Sequence, residues 1–183
     1  MSLILSGVLT LLQHVEILRK GPESYRPLRC PCGHSRVWCH GAYTRKPCCC
    51  DPVEQGYSPV RILRFYCPDC HATCSVLPEC LPPRSWYLWK VRQIIVLSLL
   101  SGSSMRRTVA RYGSRSDDPH GSTIRRWWKR LKDCFAEHSF YLRNHFPWLG
   151  RHTDFYSFWT AILPERPLAP LMSLLHLEGI VVP

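Results

Sequence analysis

The feature that most limits what this chain can become is a pair of short cysteine turns, Cys30-Pro31-Cys32-Gly33 and Cys67-Pro68-Asp69-Cys70. Ten of the eleven cysteines lie between residues 29 and 83, and because the total is odd a complete set of internal disulfides is impossible. Paired cysteines at this spacing suit a zinc ion, which takes four soft or borderline donors in a tetrahedron at about 2.0 to 2.3 Å. Two tight turns, each offering two sulfurs and joined by hairpin strands, make a zinc-ribbon layout. The expected ligands are Cys30, Cys32, Cys67 and Cys70. The first turn reads C-x-C where the usual knuckle reads C-x-x-C, so Cys39, His34 and His40 stay open as replacements for one of its sulfurs. Buried thiols without a metal are the plainer alternative.

Just before the second turn, Val60-Arg61-Ile62-Leu63-Arg64-Phe65-Tyr66 alternates apolar and basic residues as a half-exposed strand does. An insertion at about residues 45–58 carries Cys48-Cys49-Cys50, read either as small apolar loop residues or as a second metal site with Cys74 or Cys80. An all-thiolate set has no open position for a water, so the metal is expected to be structural and not catalytic.

With 183 residues the chain has room for one ordinary domain or two small ones. Its 24 Lys and Arg against 13 Asp and Glu leave a formal charge of +11, which suits a polyanionic partner. The excess is concentrated. Between residues 84 and 132 twelve Lys and Arg face only Asp117 and Asp118, a net of +10. Composition divides the sequence into an N-terminal segment 1–20, a cysteine segment 29–83, a basic helical segment 84–138, and an aromatic, Leu-rich segment 139–183.

In 1–20, Ile4, Val8, Leu11, Leu12, Val15 and Leu18 follow a helical spacing, and Gly21-Pro22 ends it. This predicts an amphipathic helix packed on the body or on a second copy. No basic residue precedes its apolar run and no small-residue cleavage site follows, so a signal peptide is not expected. The run at 94–100 is far too short to cross a bilayer, and no membrane partner and a cytoplasmic, nucleoid-associated location are expected.

Three helices are predicted in the basic segment. The first covers about 85–100 and ends at Ser101-Gly102. The second covers 105–112, with Ser103 or Ser104 as N-cap and Gly113 as its stop. The third begins at Ser122 as N-cap and runs through Leu131. In the third, Ile124, Trp128, Leu131 and Phe135 form one apolar stripe, and Arg125, Arg126, Lys129 and Lys132 lie largely opposite. Such a helix fits the recognition helix of a helix-turn-helix unit in the major groove of duplex DNA. Arg125 and Arg126 can read guanine, Ser122, Thr123 and the first N–H groups can hold phosphate, and Arg106, Arg107 and Arg111 can touch the backbone. The connection of about eight residues between the second and third helices is longer than the three or four of the simplest motif.

The ordered motifs at 30–33, His40-Gly41-Ala42-Tyr43-Thr44-Arg45, 66–78 and 122–127 resemble the zinc-ribbon plus helix-turn-helix proteins of bacterial insertion sequences, often catalogued as transposase-like. The resemblance spans about residues 29–132. It implies DNA binding in a mobile-element context, as a target or end-recognition factor or a regulator, in an α+β chain of ribbon hairpins followed by a helical domain. It does not extend to strand-transfer chemistry, which needs three carboxylates converging on two metal ions. After Lys132 the only acids are Asp133, Glu137, Asp154, Glu165 and Glu178, so a non-enzymatic role is expected. The run Phe155-Tyr156-Ser157-Phe158-Trp159 and the Leu-rich tail read as core, with a docking surface for another subunit as the alternative. Self-association through 1–20 or 155–183 follows from the same reading. Two other functions compete: a scaffold for protein or RNA, and the truncated N-terminal part of a transposase.

Overall fold

The computed structural model describes residues 2–48 and 52–182. The chain is α+β and folds as two compact units, one reaching to Leu88 and the other beginning at Trp89.

In the first unit, strand β1 (Ser2–Leu5) is followed by helix α1 (Leu11–Lys20), strand β2 (Trp38–Arg45), the single turn α2 (Pro52–Gln55), and strands β3 (Val60–Tyr66) and β4 (Thr73–Pro78). The sheet order is β1-β4-β3-β2, with β1 parallel to β4 and the other pairs antiparallel. The single helix expected over 1–20 is therefore a strand and a shorter helix. Ser2 to Leu5 pair in register with Ser75 to Pro78, and Gly7, at a φ of 83° that favours glycine, turns the chain. A reciprocal capping box between Thr10 and Gln13 then starts α1. Two buried carboxylates fix this turn: Glu79 accepts the Gly7 N–H at 2.6 Å, and Glu54 accepts the Leu11 N–H at 2.8 Å.

Strand β3 also departs from expectation. Val60 and Ile62 are buried on one face and Leu63 and Phe65 on the other, leaving only Arg61 and Arg64 exposed. The reason is its central position, flanked by β4 and β2. On one face Leu63, Phe65, Cys74, Val76 and Tyr25 form a core against which Ile17 and Leu18 of α1 pack.

The second unit is helical: α3 (Trp89–Leu100), α4 (Met105–Tyr112), α5 (Gly121–Asp133), α6 (Phe135–His145), α7 (Phe155–Ile162) and α8 (Leu168–Leu177). Helix α3 starts at Trp89, later than the expected 85, because residues 85–88 are engaged in the first unit. The Cys48 N–H donates to the Trp86 carbonyl at 2.6 Å, and the Arg45 guanidinium donates to the carbonyls of Pro82 and Ser85. One apolar cluster runs from Trp89 through Leu131 and Leu142 to Phe158, Trp159, Leu171, Met172, Leu175 and Ile180. The segments 84–138 and 139–183, separate in composition, thus share a core from Trp89 onward. Within the tail, Phe158, Trp159, Leu171 and Leu175 are core, whereas Tyr156 and Leu177 face solvent. Among the described residues no helix is long and apolar enough to cross a membrane.

Candidate functional site

The turn between β3 and β4 carries Cys67 and Cys70, so the hairpin itself fixes half of a sulfur cluster. The Cys67 N–H donates to the Ala72 carbonyl at 2.9 Å, and His71 takes the left-handed conformation (φ 55°) that reverses the chain. The other half is the loop before β2. There the Gly33 N–H donates to the Cys30 carbonyl and the Cys30 N–H to the His34 carbonyl, both at 2.8 Å. Gly33 sits at φ 95°, a conformation a side chain would strain, and this tight turn lets a C-x-C spacing present both sulfurs.

Cys30, Cys32, Cys67 and Cys70 place their sulfurs within 4.8 Å of one another. Cys30 Sγ lies 3.6 Å from Cys70 Sγ, and Cys32 Sγ lies 3.7 Å from Cys67 Sγ. A tetrahedron of thiolates around a metal at about 2.3 Å has edges of about 3.8 Å, so the cluster could hold a metal ion. All four expected ligands come together. Of the alternatives, Cys39 is exposed on β2 outside the group, and His40 rests against the Tyr66 ring, centroids 5.6 Å apart. His34 is nearer: its Nδ1 is 3.2 Å from Cys32 Sγ, and it forms an overlapping trio with Cys67 and Asp69. Asp69 is also tied to Arg36 at 2.8 Å.

Cys30 and Cys32 do not ionise alike. The His34 backbone N–H, its ring and the Cys30 thiol pull Cys32 down to about 6. Cys30 is drawn down by the Cys32 N–H, but burial and hydrogen bonding with the Cys32, Cys70 and Cys67 thiols push it up to about 12. Cysteine ligates a metal as the thiolate, so metal uptake by these four residues would release protons.

The other described cysteines are not part of this cluster. Cys74 is buried in the sheet core opposite Phe65, and Cys80 is buried with its N–H donating to the Val8 carbonyl. Cys48 bridges to Tyr87, and no metal-holding group among the described residues includes Cys48, Cys74 or Cys80. Cys49 and Cys50 lie outside the described residues.

The second candidate surface is built by α4 and α5. Ser104 caps α4 by accepting the Arg107 N–H at 3.2 Å, Thr108 is buried, and Arg106, Arg107 and Arg111 are exposed. The connection to α5 has eight residues, Gly113 to His120. Glycine is required at both of its borders by close packing. A Cβ on Gly113 would sit 2.9 Å from the Val109 carbonyl, and one on Gly121 would sit 2.8 Å from Val109 Cγ1. Ser122 is not the N-cap of α5, because the His120 ring accepts its N–H at 3.3 Å and moves the cap two residues upstream.

Ile124 and Leu131 are buried, with Trp128 and Phe135 packed against the core. Ser122, Arg125, Arg126, Lys129 and Lys132 are exposed, and Thr123 is half-buried with its hydroxyl accepting from Arg126 at 3.4 Å. Two more of these cations have partners. Lys129 pairs with Asp133 at 2.9 Å, and Lys132 lies over the rings of Trp128 and Tyr156, each 5.2 Å away, while donating to the Tyr156 hydroxyl at 3.2 Å.

Sequence reasoning passed over Arg92. It is buried between the Trp89 and Trp127 rings, at 4.7 and 4.6 Å, and burial, with the Arg130 charge second, draws it down to about 9. The Trp89–Arg92 spacing of three on one helix was the available signal; the approach of Trp127 was not visible in it.

No family model matches this chain, and comparison with curated proteins and with solved structures finds no significant match.

Proposed function

We propose that the protein is a non-enzymatic, zinc-containing DNA-binding protein of a bacterial mobile genetic element, acting in target or end recognition or in regulation of transposition. The observation that carries DNA binding is the division of α5 into two faces. Ile124 and Leu131 enter the core, while Arg125, Arg126, Lys129 and Arg130 stand in solvent beside the exposed Arg106, Arg107 and Arg111 of α4. Cations grouped this way neutralise phosphate and release counterions. Zinc is supported by the donor set: four thiolates at tetrahedral spacing leave no open coordination position, which suits a structural ion. The mobile-element context is supported by the motif resemblance over residues 29–132.

The decisive experiment is a salt titration of duplex binding on purified protein, paired with metal analysis. Duplex affinity should fall steeply with salt, by about 0.9 log units per log unit for each phosphate contacted. Absence of salt-dependent duplex binding at about 50 mM salt would end this reading. In the same assay Arg126→Ala should relax sequence preference by about 1 to 3 kcal/mol, whereas Arg107→Ala should weaken all duplexes alike and flatten the slope.

A further inference from the structure

One exposed surface takes no part in the reading above. On the sheet face near the sulfur cluster, the Tyr66 ring is surrounded by Trp38, His40 and His71, with centroids 6.3, 5.6 and 6.3 Å away. Trp38 pairs with Tyr66 across the β2–β3 ladder, and the Tyr66 hydroxyl meets His71 Nδ1 at 2.7 Å, which holds the ring in place. Trp38 is 55% exposed although it is one of the largest apolar side chains of the molecule. His40 and His71 are exposed as well.

Arg64, two residues before Tyr66 and therefore on the same sheet face, is exposed too. The four strands together contain Arg45, Arg61 and Arg64 and no Asp or Glu. Arg61 lies on the opposite face and the Arg45 guanidinium is held by the Pro82 and Ser85 carbonyls, so this is an aromatic platform with one cation, Arg64, beside it. Its strand β2 is at the sheet edge, exposed along nearly its whole length, so an extended ligand has access.

We infer that this face binds single-stranded DNA, with unpaired bases stacking on Trp38 and Tyr66 and phosphate meeting Arg64. Every base has a π-face, so such a platform tolerates sequence, and cations beside it follow the backbone. The choice of DNA rests on the function proposed for α4 and α5; the recognition of unpaired bases does not.

The test uses the whole chain and a fluorescent oligo(dT) of about 12 nucleotides, read by anisotropy at about 50 mM salt. Trp38→Ala should weaken oligo(dT) binding about tenfold or more and leave duplex affinity unchanged, while Trp38→Phe should keep most of it. Arg126→Ala should show the opposite selectivity. His40→Ala, at an exposed position, gives a second variant in case Trp38→Ala alters the far-ultraviolet circular dichroism, and it too should weaken oligo(dT) binding. The inference is overturned if the wild type fails to bind oligo(dT), or if neither variant weakens it. It is equally overturned if oligo(U) binds more tightly than oligo(dT), or if Trp38→Ala abolishes self-association without loss of oligo(dT) binding. Loss of duplex binding alone, with oligo(dT) binding retained, would remove the function proposed for α4 and α5 and leave the stacking face standing.

Discussion

The two units solve the problem of stability by different means. From Trp89 onward, five of the six helices, all but α4, close around one aromatic and aliphatic cluster. Up to Leu88, a four-stranded sheet has a packed centre at Leu63, Phe65 and Val76, but its cysteine end finishes in two turns whose main cohesive groups are four thiols. Local unfolding should therefore follow different triggers in the two halves: removal of a metal in the first, loss of apolar volume in the second.

The most severe way to break that contrast is to empty the four-cysteine cluster of any ion it holds. Chelation, or Cys67→Ser, should unfold the first unit around β3 and β4 while the helical unit stays folded, since a structural zinc contributes about 10 to 16 kcal/mol in small zinc domains. Hydrogen exchange resolves the two units; persistent protection of β3 after chelation would refute the dependence. The reverse experiment is Trp159→Ala. Its ring is fully buried in the helical cluster, so the cost should be about 3 to 5 kcal/mol, with metal content unaltered. An unchanged melting temperature would remove the claim that this cluster holds the second unit together.

A smaller effect sharpens the picture within the helical unit. Gly121→Ala places a Cβ 2.8 Å from Val109 Cγ1 and should push α5 from α4, at a cost of about 1 to 3 kcal/mol. Duplex affinity should fall with it, whereas an exposed change such as Ser114→Ala should leave both stability and affinity as they are.

The smallest expected effect is one the units share. His14 in the first and His138 in the second are buried, and desolvation holds both below the ordinary histidine value, against a raising influence from hydrogen bonds with the carbonyls of Arg61 and Val181. Each is neutral when folded and charges first when unfolded. The stability this neutrality preserves is complete above about pH 6.5 and is lost as pH falls through the lowered folded values. In the helical unit, His138→Gln should flatten the fall in melting temperature between about pH 7 and pH 5. A fall as steep as in the wild type would show that His138 is not its source.

What was legible in the sequence was local. The four sulfurs, the Ser104 cap, the apolar stripe of α5 and the position of β3 each follow from spacings of a few residues. What escaped depends on partners far along the chain. Ser2 to Leu5 look helical until Ser75 to Pro78 offer a parallel ladder, and Ser85 looks like a helix start until Arg45 takes its carbonyl. The His120 cap competed with a serine that is the better capping residue in isolation.

The sandwiching of Arg92 changes what the charge count means. A net of +10 over residues 84–132 suggests a matching number of displaced counterions, yet Arg92 is sealed between two indoles. Arg92 acts as an internal fastener, so it should leave no trace in a salt titration. The slope should thus fall short of what the basic segment's composition suggests, and Arg92→Met should alter the melting temperature while leaving that slope where it was.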